Sequence, residues 1–372
     1  MTPNQLQDRG RALLNIYARV EERLLEIIAR RLGDPDGTPV WVQRKLSEAR
    51  KIQTEIQRAL DALNAEAGPL AEELIREAWA QGYESFLAEM RAQGIELEGM
   101  GIEANIQRAD ALIQDAAAQL DAVHTHILRE AEDIYRAVLA EALPLGNAGA
   151  ETTRQVMQRA LNRFANLGIT AFVDKAGRKW GMAEYAEMAT RTGMMRAAIS
   201  GYTQDAIEHG EDLVIVSDHS DECPLCAVWE RKVLSLTGAQ RNHPDCAGTV
   251  AEATAAGLFH PNCEHSLTVY IPGLTQIEGS KARLGITPAQ DARGYQNRQK
   301  QRYMERTLRQ WKRRQAAAMS PEEERKCKAR ADMWRRRIRD FTEETNLPRM
   351  RHREGGRVIL SDAARKLKPI KL

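Results

Sequence analysis

Residues 106–138 read IQRADALIQDAAAQLDAVHTHILREAEDIYRAV and carry the clearest structural signal in the chain. Apolar residues recur there at intervals that mostly alternate between three and four: Ile106, Ala109, Ile113, Ala116, Leu120, Val123, Ile127, Ile134 and Val138. An average interval of 3.5 residues is typical of the seam along which helices pack on one another. The stretch therefore predicts a long helix within an elongated helical bundle.

The same periodicity runs through the residues that precede this stretch. One predicted helix carries these residues, spaced by four and three: Leu13, Tyr17, Val20, Leu24 and Ile27. It ends at the turn-forming residues 33–37. A second helix is predicted to run from about Leu46 to Leu63, and a third to begin near Pro69. Aromatic residues make up only 5% of the chain, which favours packing by leucine and alanine.

The middle of the chain changes from a helical to a strand-like pattern. Residues 150–172 and 182–209 are predicted to be helical, with a turn at 174–177 between them. Beyond them, three short runs rich in β-branched residues predict strands, and one capped segment predicts a short helix. The strands are Leu213–Val216, Val233–Leu236 and Leu267–Ile271, and the helix is Thr249–Ala256. These elements predict a small α+β module of about sixty residues, too small for a robust core without a metal or a similar staple.

The last part returns to helix, over 295–319 and 325–341, with Ser320 as N-cap of the second helix and Glu323 completing a capping box. The predicted fold class is therefore mainly α, with basic C-terminal helices and a small α+β module that the two motifs described next identify as a zinc-knuckle module. The predicted regions are 1–145 (long helices), 146–210 (helical connector), 211–275 (zinc-binding module) and 276–372 (basic helices).

Two short motifs predict a structural zinc site. Cys223-Pro-Leu-Cys226 and His260-Pro-Asn-Cys263 each place two ligand-type residues on one tight turn. Zinc prefers thiolate and imidazole ligands in a closed tetrahedron, and this spacing lets each turn present two ligands to one ion. We expect Cys223, Cys226, His260 and Cys263 to be the ligands, with His265 as an alternate for His260.

Two other interpretations of these residues stay open. His243-Pro-Asp-Cys246 repeats the spacing of the second motif and competes with it, although the sequence predicts no strand beside it to hold it in place. Alternatively, the thiols are simply buried in the module core and His260 is hydrogen-bonded there. Cysteine is among the most buried residue types, so this interpretation needs no metal.

No catalytic residues are predicted, and we expect the protein not to be an enzyme. The Cys-x-x-Cys motif is not preceded by the His-x-Glu that zinc deaminases require. His219 beside Asp218 or Asp221 imitates part of a metal-dependent nuclease site, without the second catalytic His or Asn. The sequence contains no phosphate-binding loop, nucleophile elbow or dinucleotide fingerprint.

Charge is distributed unevenly along the chain. Residues 281–372 contain 27 Lys and Arg against 11 Asp and Glu, whereas residues 1–280 contain 27 against 41. A basic end of this kind suggests contact with a polyanion such as DNA, or with the acidic face of a partner. The candidate nucleic-acid-binding residues are Lys312, Arg313, Arg314, Arg335, Arg336 and Arg337. A solvated face with charge pairs within the helices would explain the same pattern.

Composition gives weaker indications of cellular location. No apolar run approaches the roughly 20 residues needed to cross a bilayer, so no membrane contact is expected. The N-terminal residues lack the basic and apolar layout of a secretion signal. Three of the five cysteines lie in the zinc-type motifs, which argues against a disulfide scaffold and favours synthesis in a reducing compartment.

The residues around both motifs resemble the phage minor capsid protein 2 family, within the wider group of phage Mu F-like head morphogenesis proteins. The resemblance is carried by residues 217–219, 222–235 (ECPLCAVWERKVLS), 257–267 (GLFHPNCEHSL) and 270–273 (YIPG). It extends through residues 168–170, 189–192, 295–302, 305–306 and 353–354, and covers about half the chain. Glu264, where the family usually has a basic residue, and Val228 depart from the pattern.

The resemblance implies a minor virion protein that is made in the cytoplasm of the bacterial host. It implies a position inside the head near the portal and a role in head assembly, in several copies per virion. The implied partners are the portal protein, the major capsid protein or both, and the basic C-terminal region adds packaged DNA as a further candidate partner. Two alternatives are a zinc-dependent nucleic-acid enzyme and an internal DNA-binding protein.

Overall fold

The computed structural model of this chain describes residues 3–33, 38–97, 107–142, 152–173, 177, 179–219, 223–260, 263, 265–275, 277, 279 and 285–354. Helices dominate these residues, and the strands are short. The helices are α1 (Pro3–Leu32), α2 (Pro39–Ser47), α3 (Ala49–Ala92), α4 (Asp110–Ala142), α5 (Thr153–Leu167), α6 (Met182–Glu208), α7 (Pro224–Ala227), α8 (Val250–Ala255), α9 (Pro288–Ala316) and α10 (Pro321–Thr345). The strands are β1 (Thr170–Val173), β2 (Lys179–Gly181), β3 (Leu213–Val216), β4 (Val233–Ser235), β5 (Cys246–Thr249) and β6 (Leu267–Val269).

Three long helices, α1, α3 and α4, form the bundle that the apolar periodicity predicts. Helix α3 has 44 residues and is therefore about 66 Å long. The residues buried between the helices include Leu13, Tyr17 and Leu24 of α1, Ile52, Ile56, Leu60 and Leu63 of α3, and Leu120, Val123, Ile127, Ile134 and Val138 of α4. The mainly helical, elongated fold class is confirmed. Ile106 of the predicted seam lies outside the described residues.

Helix α3 runs through Pro69, so the predicted start of a new helix there is wrong. The predicted second helix is also divided, because Leu46 belongs to α2 and Leu63 to α3. An interior proline removes one backbone hydrogen bond and costs about 3 kcal/mol. Ala67 and Ala71 on either side of Pro69 are both buried in the same core, and this continuous packing offsets the loss.

Helices α3 and α6 cross in direct backbone contact. A Cβ atom at Gly82 would overlap the carbonyl group of Ala198, and one at Gly201 would overlap the carbonyl oxygen of Trp79. Only glycine at both positions allows the two backbones to approach this closely. The crossing therefore holds α6 against α3, the longest helix of the bundle. Because α6 leads into β3, the crossing also positions the second sheet.

A β-hairpin replaces the end of one predicted helix. Helix α5 ends at Leu167, and Gly168 has a φ of +79°, a backbone conformation that stops the helix. Strands β1 and β2 then pair antiparallel. The prediction of helix over residues 150–172 is therefore wrong for residues 170–172, which belong to β1 and begin with the β-branched Thr170.

The second sheet has the strand order β5-β4-β3-β6. Strand β3 pairs antiparallel with β4 and with β6, and all four of its residues are buried. The three predicted strands are confirmed, with ends one or two residues earlier for β4 and β6. Strand β5, which pairs parallel with β4, was missed. Helix α8 (Val250–Ala255) lies within the predicted helical segment Thr249–Ala256, and the Thr249 side chain caps it by accepting from the backbone N–H of Glu252.

Helices α9 and α10 form a hairpin at the basic end of the chain. Their shared core contains Leu308, Ala331 and Ile338. The Ser320 hydroxyl accepts from the backbone N–H of Glu323 at 3.2 Å, so the predicted N-cap of α10 is confirmed. Among the described residues, we find no helix whose length and apolar character would let it cross a bilayer.

Candidate metal centre

The first turn of the site is fixed by its own backbone. The N–H groups of Cys226 and Ala227 both donate to the carbonyl oxygen of Cys223 at 3.1 Å. Arg231 then adopts a φ of +60° and donates its N–H to the carbonyl oxygen of Val216, which returns the chain to the end of β3. This tight turn brings two sulfur atoms to the same side of the loop, as a metal knuckle requires.

The second turn is built in a similar way. Phe259 adopts a φ of +59°, and the N–H of Cys263 donates to the carbonyl oxygen of His260 at 2.9 Å. The chain then passes through His265 and enters β6. Ser266 donates its N–H to the Ser217 hydroxyl at 2.9 Å, so the second turn is attached to the end of the central strand. Residues 261, 262 and 264 lie outside the described part of the chain.

The two turns meet, and all five residues predicted as ligands or alternate ligand are brought together. One group contains Cys223, Cys226 and His260, and the other contains Cys226, Cys263 and His265; within each group the ligand atoms lie within 4.8 Å of one another. Their distances are 3.7 Å between the sulfurs of Cys226 and Cys263, 3.4 Å from Cys263 Sγ to His265 Nδ1, and 2.9 Å from Cys223 Sγ to His260 Nε2.

The group of Cys226, Cys263 and His265 fits part of a tetrahedral metal site. With metal–sulfur bonds of about 2.3 Å and metal–nitrogen bonds of about 2.0 Å, a tetrahedron has sulfur–sulfur edges of about 3.8 Å and sulfur–nitrogen edges of about 3.5 Å. The Cys226–Cys263 distance of 3.7 Å lies close to the first value. Three soft thiols and two imidazoles supply more than the four ligands that such an ion takes, so the cluster could hold a metal.

The electrostatics of the cluster favour negative charge on one sulfur. The hydrogen bond from Cys226 lowers the pKa of Cys263 to about 4, and the same contact raises the pKa of Cys226. Burial lowers the pKa of His265, but hydrogen bonds to Cys263 and Glu230 outweigh it and raise the value to about 9. A bound metal ion would replace the protons now carried by the cysteine thiols and by His265, so metal binding should release protons.

The competing pair, His243 and Cys246, lies elsewhere in the module. Cys246 opens β5 and its thiol donates to the carbonyl oxygen of Gly248 at 3.1 Å. The ring of His243 accepts from the backbone N–H of Asp245 and packs edge-on against Tyr270. The expectation that this segment lacks an adjoining strand is wrong, because β5 begins there. Neither residue belongs to the two ligand groups found in the described chain.

A polar network surrounds the second turn, and its central residue was missed in the sequence. Glu230 accepts from the His219 backbone N–H at 2.9 Å, and its Oε1 atom lies 2.9 Å from His265 Nε2. The ring of His219 lies 3.1 Å from the Ser217 hydroxyl. An acid four residues after Cys226 was the available signal in the sequence, since a carboxylate behind a histidine ligand is common at metal sites. Asp221, the other acid considered beside His219, lies outside the described residues.

The six basic residues predicted to meet nucleic acid have different environments. Arg313 is only 5% exposed, and its guanidinium pairs with Glu21 at 3.4 Å and with Glu184 at 3.6 Å. It also donates to the backbone carbonyl oxygens of Ala165 and Asn166 at the end of α5. This placement removes Arg313 from the residues that could contact a phosphate.

The remaining five basic residues lie closer to the surface. Arg314 is half-buried, stacks over Trp311 and donates to the side chain of Asn166. Lys312 is also half-buried, and burial lowers its pKa. The arginines at 335–337 are all exposed on α10, where Arg335 pairs with Asp332 and Arg337 stacks over Trp334. The candidate surface for a polyanion is therefore centred on residues 335–337.

The fold and the cluster together define a helical protein that carries a small module with a metal-type Cys/His site. The family model for phage minor capsid protein 2 matches residues 1–343, and the chain belongs to this family. The family resemblance seen in the sequence is thereby confirmed.

One curated relative is a protein of Lactococcus phage LL-H with the description "Structural protein". It is 26% identical over 191 residues, which are 50% of this chain and 50% of the relative. The chain thus spans about half the length of this relative. No solved structure matches the chain.

Proposed function

We propose that the protein is a structural component of a phage head, placed inside the capsid near the portal vertex. Membership of the minor capsid protein 2 family over residues 1–343 is the observation that carries this proposal. The description of the Lactococcus phage relative as a structural protein points the same way. The portal protein, the major capsid protein or both would be its direct partners, and several copies would be present in each virion.

Protease protection of purified virions tests the internal position. In intact particles the protein should resist a protease that cannot enter the head, and it should be cleaved after the heads are opened by osmotic shock. Cleavage in intact particles at the rate seen in opened ones would contradict an internal position. A reconstruction of the virion without imposed symmetry should show the protein at the portal vertex, and density elsewhere would correct this part of the proposal.

The Cys/His cluster is proposed to hold one structural zinc ion. Three cysteines and one histidine fill a tetrahedral zinc completely, which leaves no position for a reactive water molecule. The ion would therefore stabilise the fold of the module rather than catalyse a reaction, and we propose that the protein is not an enzyme. Elemental analysis of the purified chain should give about one zinc per molecule, and the Cys223→Ser variant should lose it.

The exposed arginines support DNA as a further partner inside the head. Arg336 and its two neighbours are all exposed on α10, and the described residues 285–354 contain 20 Lys and Arg against 10 Asp and Glu. Binding would be independent of sequence, because phosphate contacts carry no base information. Gel-shift titration of the full chain with duplexes of unrelated sequence should give equal affinities. Absence of DNA binding at low salt would exclude DNA as a partner and favour the alternative, in which the basic residues form a solvated face with charge pairs within the helices.

A further inference from the structure

We infer that His265, rather than His260, is the histidine ligand of the metal, and that Glu230 is the positioning residue that holds its ring. This inference rests on the proposed metal site and specifies its ligands. It reverses the preference for His260 that motif spacing alone suggested.

The distances within the cluster favour His265. Its Nδ1 atom lies 3.4 Å from Cys263 Sγ, close to the roughly 3.5 Å edge that a tetrahedral site requires between sulfur and nitrogen. The Nε2 atom of His260 lies 2.9 Å from Cys223 Sγ, about 0.6 Å shorter than that edge. The first pair is already placed to share one ion, whereas the second pair would have to move apart.

The outer contact of the ring gives an independent reason. Histidine ligands usually donate their second ring N–H to a carboxylate, which fixes the tautomer and the orientation of the ring. The Nε2 atom of His265 lies 2.9 Å from Glu230 Oε1, and the two side chains are only 4% and 6% exposed. Donation from Nε2 to this carboxylate leaves the lone pair of Nδ1 directed toward the sulfurs.

Glu230 is itself held in place. The backbone N–H of His219 donates to the same Oε1 atom at 2.9 Å, and Glu230 lies directly before Arg231, whose N–H donates to the end of β3. On the other side of the cluster, Ser217 and Ser266 exchange two hydrogen bonds next to His265. Both the ligand and its carboxylate are thus attached to the central strand, which is the rigid support that a ligand set needs.

His260 has a different role in this arrangement. Its carbonyl oxygen accepts from the N–H of Cys263 and closes the second turn, and its ring lies against Cys223 Sγ as a hydrogen-bond partner of that sulfur. A ring N–H directed at a metal-bound thiolate stabilises the charge on the sulfur without occupying a coordination position. The proposed ligands are then Cys226, Cys263 and His265, which form one group, together with Cys223, which belongs to the neighbouring group and is linked to it through Cys226.

Cobalt substitution of the full-length protein tests the assignment, because the intensity of the sulfur-to-cobalt charge-transfer band rises with the number of coordinated thiolates. His265→Cys should convert a site with three thiolates into one with four, so the band should grow by about a third. The matched variant His260→Cys should leave the band unchanged. Growth in His260→Cys and none in His265→Cys would overturn the inference.

Zinc affinity, measured by competition with a chromophoric chelator, gives a second readout. Glu230→Gln should weaken zinc binding by about 10–100-fold while the cobalt spectrum still shows three thiolates, as expected for a residue that acts through the ligand. His265→Ala should weaken binding at least as much, and His260→Ala by less than about tenfold. An unchanged affinity in Glu230→Gln would overturn the positioning role.

The two proposals fail in different ways. If the wild-type chain binds no stoichiometric metal, the structural metal site itself is wrong. If the wild-type chain binds metal and loses it in His260→Ala but not in His265→Ala, only the ligand assignment is wrong. Far-UV circular dichroism of each variant verifies that the helical bundle, which has its own core, stays folded.

Discussion

Arg313→Met offers a sharp test of how the basic end of the chain is held. The substitution removes the cation that pairs with Glu21 and Glu184 and that donates to the end of α5. Glu21 is only 2% exposed, so its buried carboxylate would lose its paired cation and keep the backbone N–H of Ile169 as donor. Breaking a buried pair in this way costs about 3–5 kcal/mol. At about 2–4 °C per kcal/mol, we expect Tm to fall by at least about 6 °C.

The loss should depend on pH, because burial raises the pKa of Glu21 to about 7 against the attraction of Arg313. A carboxyl whose folded pKa is raised contributes stability that is complete below its ordinary pKa of about 4.5 and is lost as pH rises through 7. Removal of Arg313 raises this pKa further. The destabilisation by Arg313→Met should therefore be larger at pH 8 than at pH 5, where Glu21 takes up a proton.

Thermal unfolding monitored by far-UV circular dichroism at both pH values measures the effect. Arg336→Met is the matched control, since Arg336 is exposed on α10 and its replacement should change stability by less than about 0.5 kcal/mol. The double variant Arg313→Met, Glu21→Gln should recover much of the loss at pH 8. If Arg313→Met and Arg336→Met have the same Tm at pH 8, the buried ion pair does not stabilise the attachment of the C-terminal hairpin.

Four other outcomes are expected. Cys226→Ser should abolish zinc binding in elemental analysis and reduce amide-exchange protection in residues 213–273 but not in α4; full zinc retention would contradict the site. Replacing the arginines at 335–337 by Gln should flatten the slope of log DNA affinity against log salt by up to about three units, and an unchanged slope would exclude their contact with phosphate. Gly201→Ala should lower Tm by several degrees because its Cβ would overlap the backbone of α3, and an unchanged Tm would refute the close crossing. Burial raises the pKa of Glu305 to about 7, so Glu305→Gln should raise Tm at pH 8 but not at pH 5; equal effects at both pH values would refute this ionisation.

The helical bundle was predictable because its signal is repeated many times. Each turn of α4 adds another apolar residue to the same face, so a single exception such as half-buried Ala116 does not change the result. The prediction of helix boundaries failed where it rested on a single residue. Pro69 predicts a helix start from local preference alone, whereas the continuous core on both of its sides decides that the helix continues.

The metal-type residues were predictable as a set, but their arrangement was not. Spacing identifies which cysteines and histidines share a turn, and it cannot say which nitrogen faces a sulfur. Glu230 was missed because its contact with His265 joins residues 35 positions apart. The sequence also does not distinguish Arg313 from Arg336, because both lie in short runs of basic residues. Only the tertiary fold places Glu21 beside Arg313. The four regions proposed from composition, including the connector 146–210, stay a prediction.

The pairing of Glu21 with Arg313 also sets an order of events during synthesis. The two residues are 292 positions apart, and at about 5–20 residues per second a ribosome needs roughly 15–60 s to travel from one codon to the other. Until then Glu21 on α1 lacks its guanidinium partner, and the faces of α1 and α5 that α9 contacts stay uncovered. We expect ribosome-released fragments that stop before residue 313 to be digested by proteases faster than the full-length chain. The buried ion pair between α1 and α9 can thus form only after the intervening helices have been made.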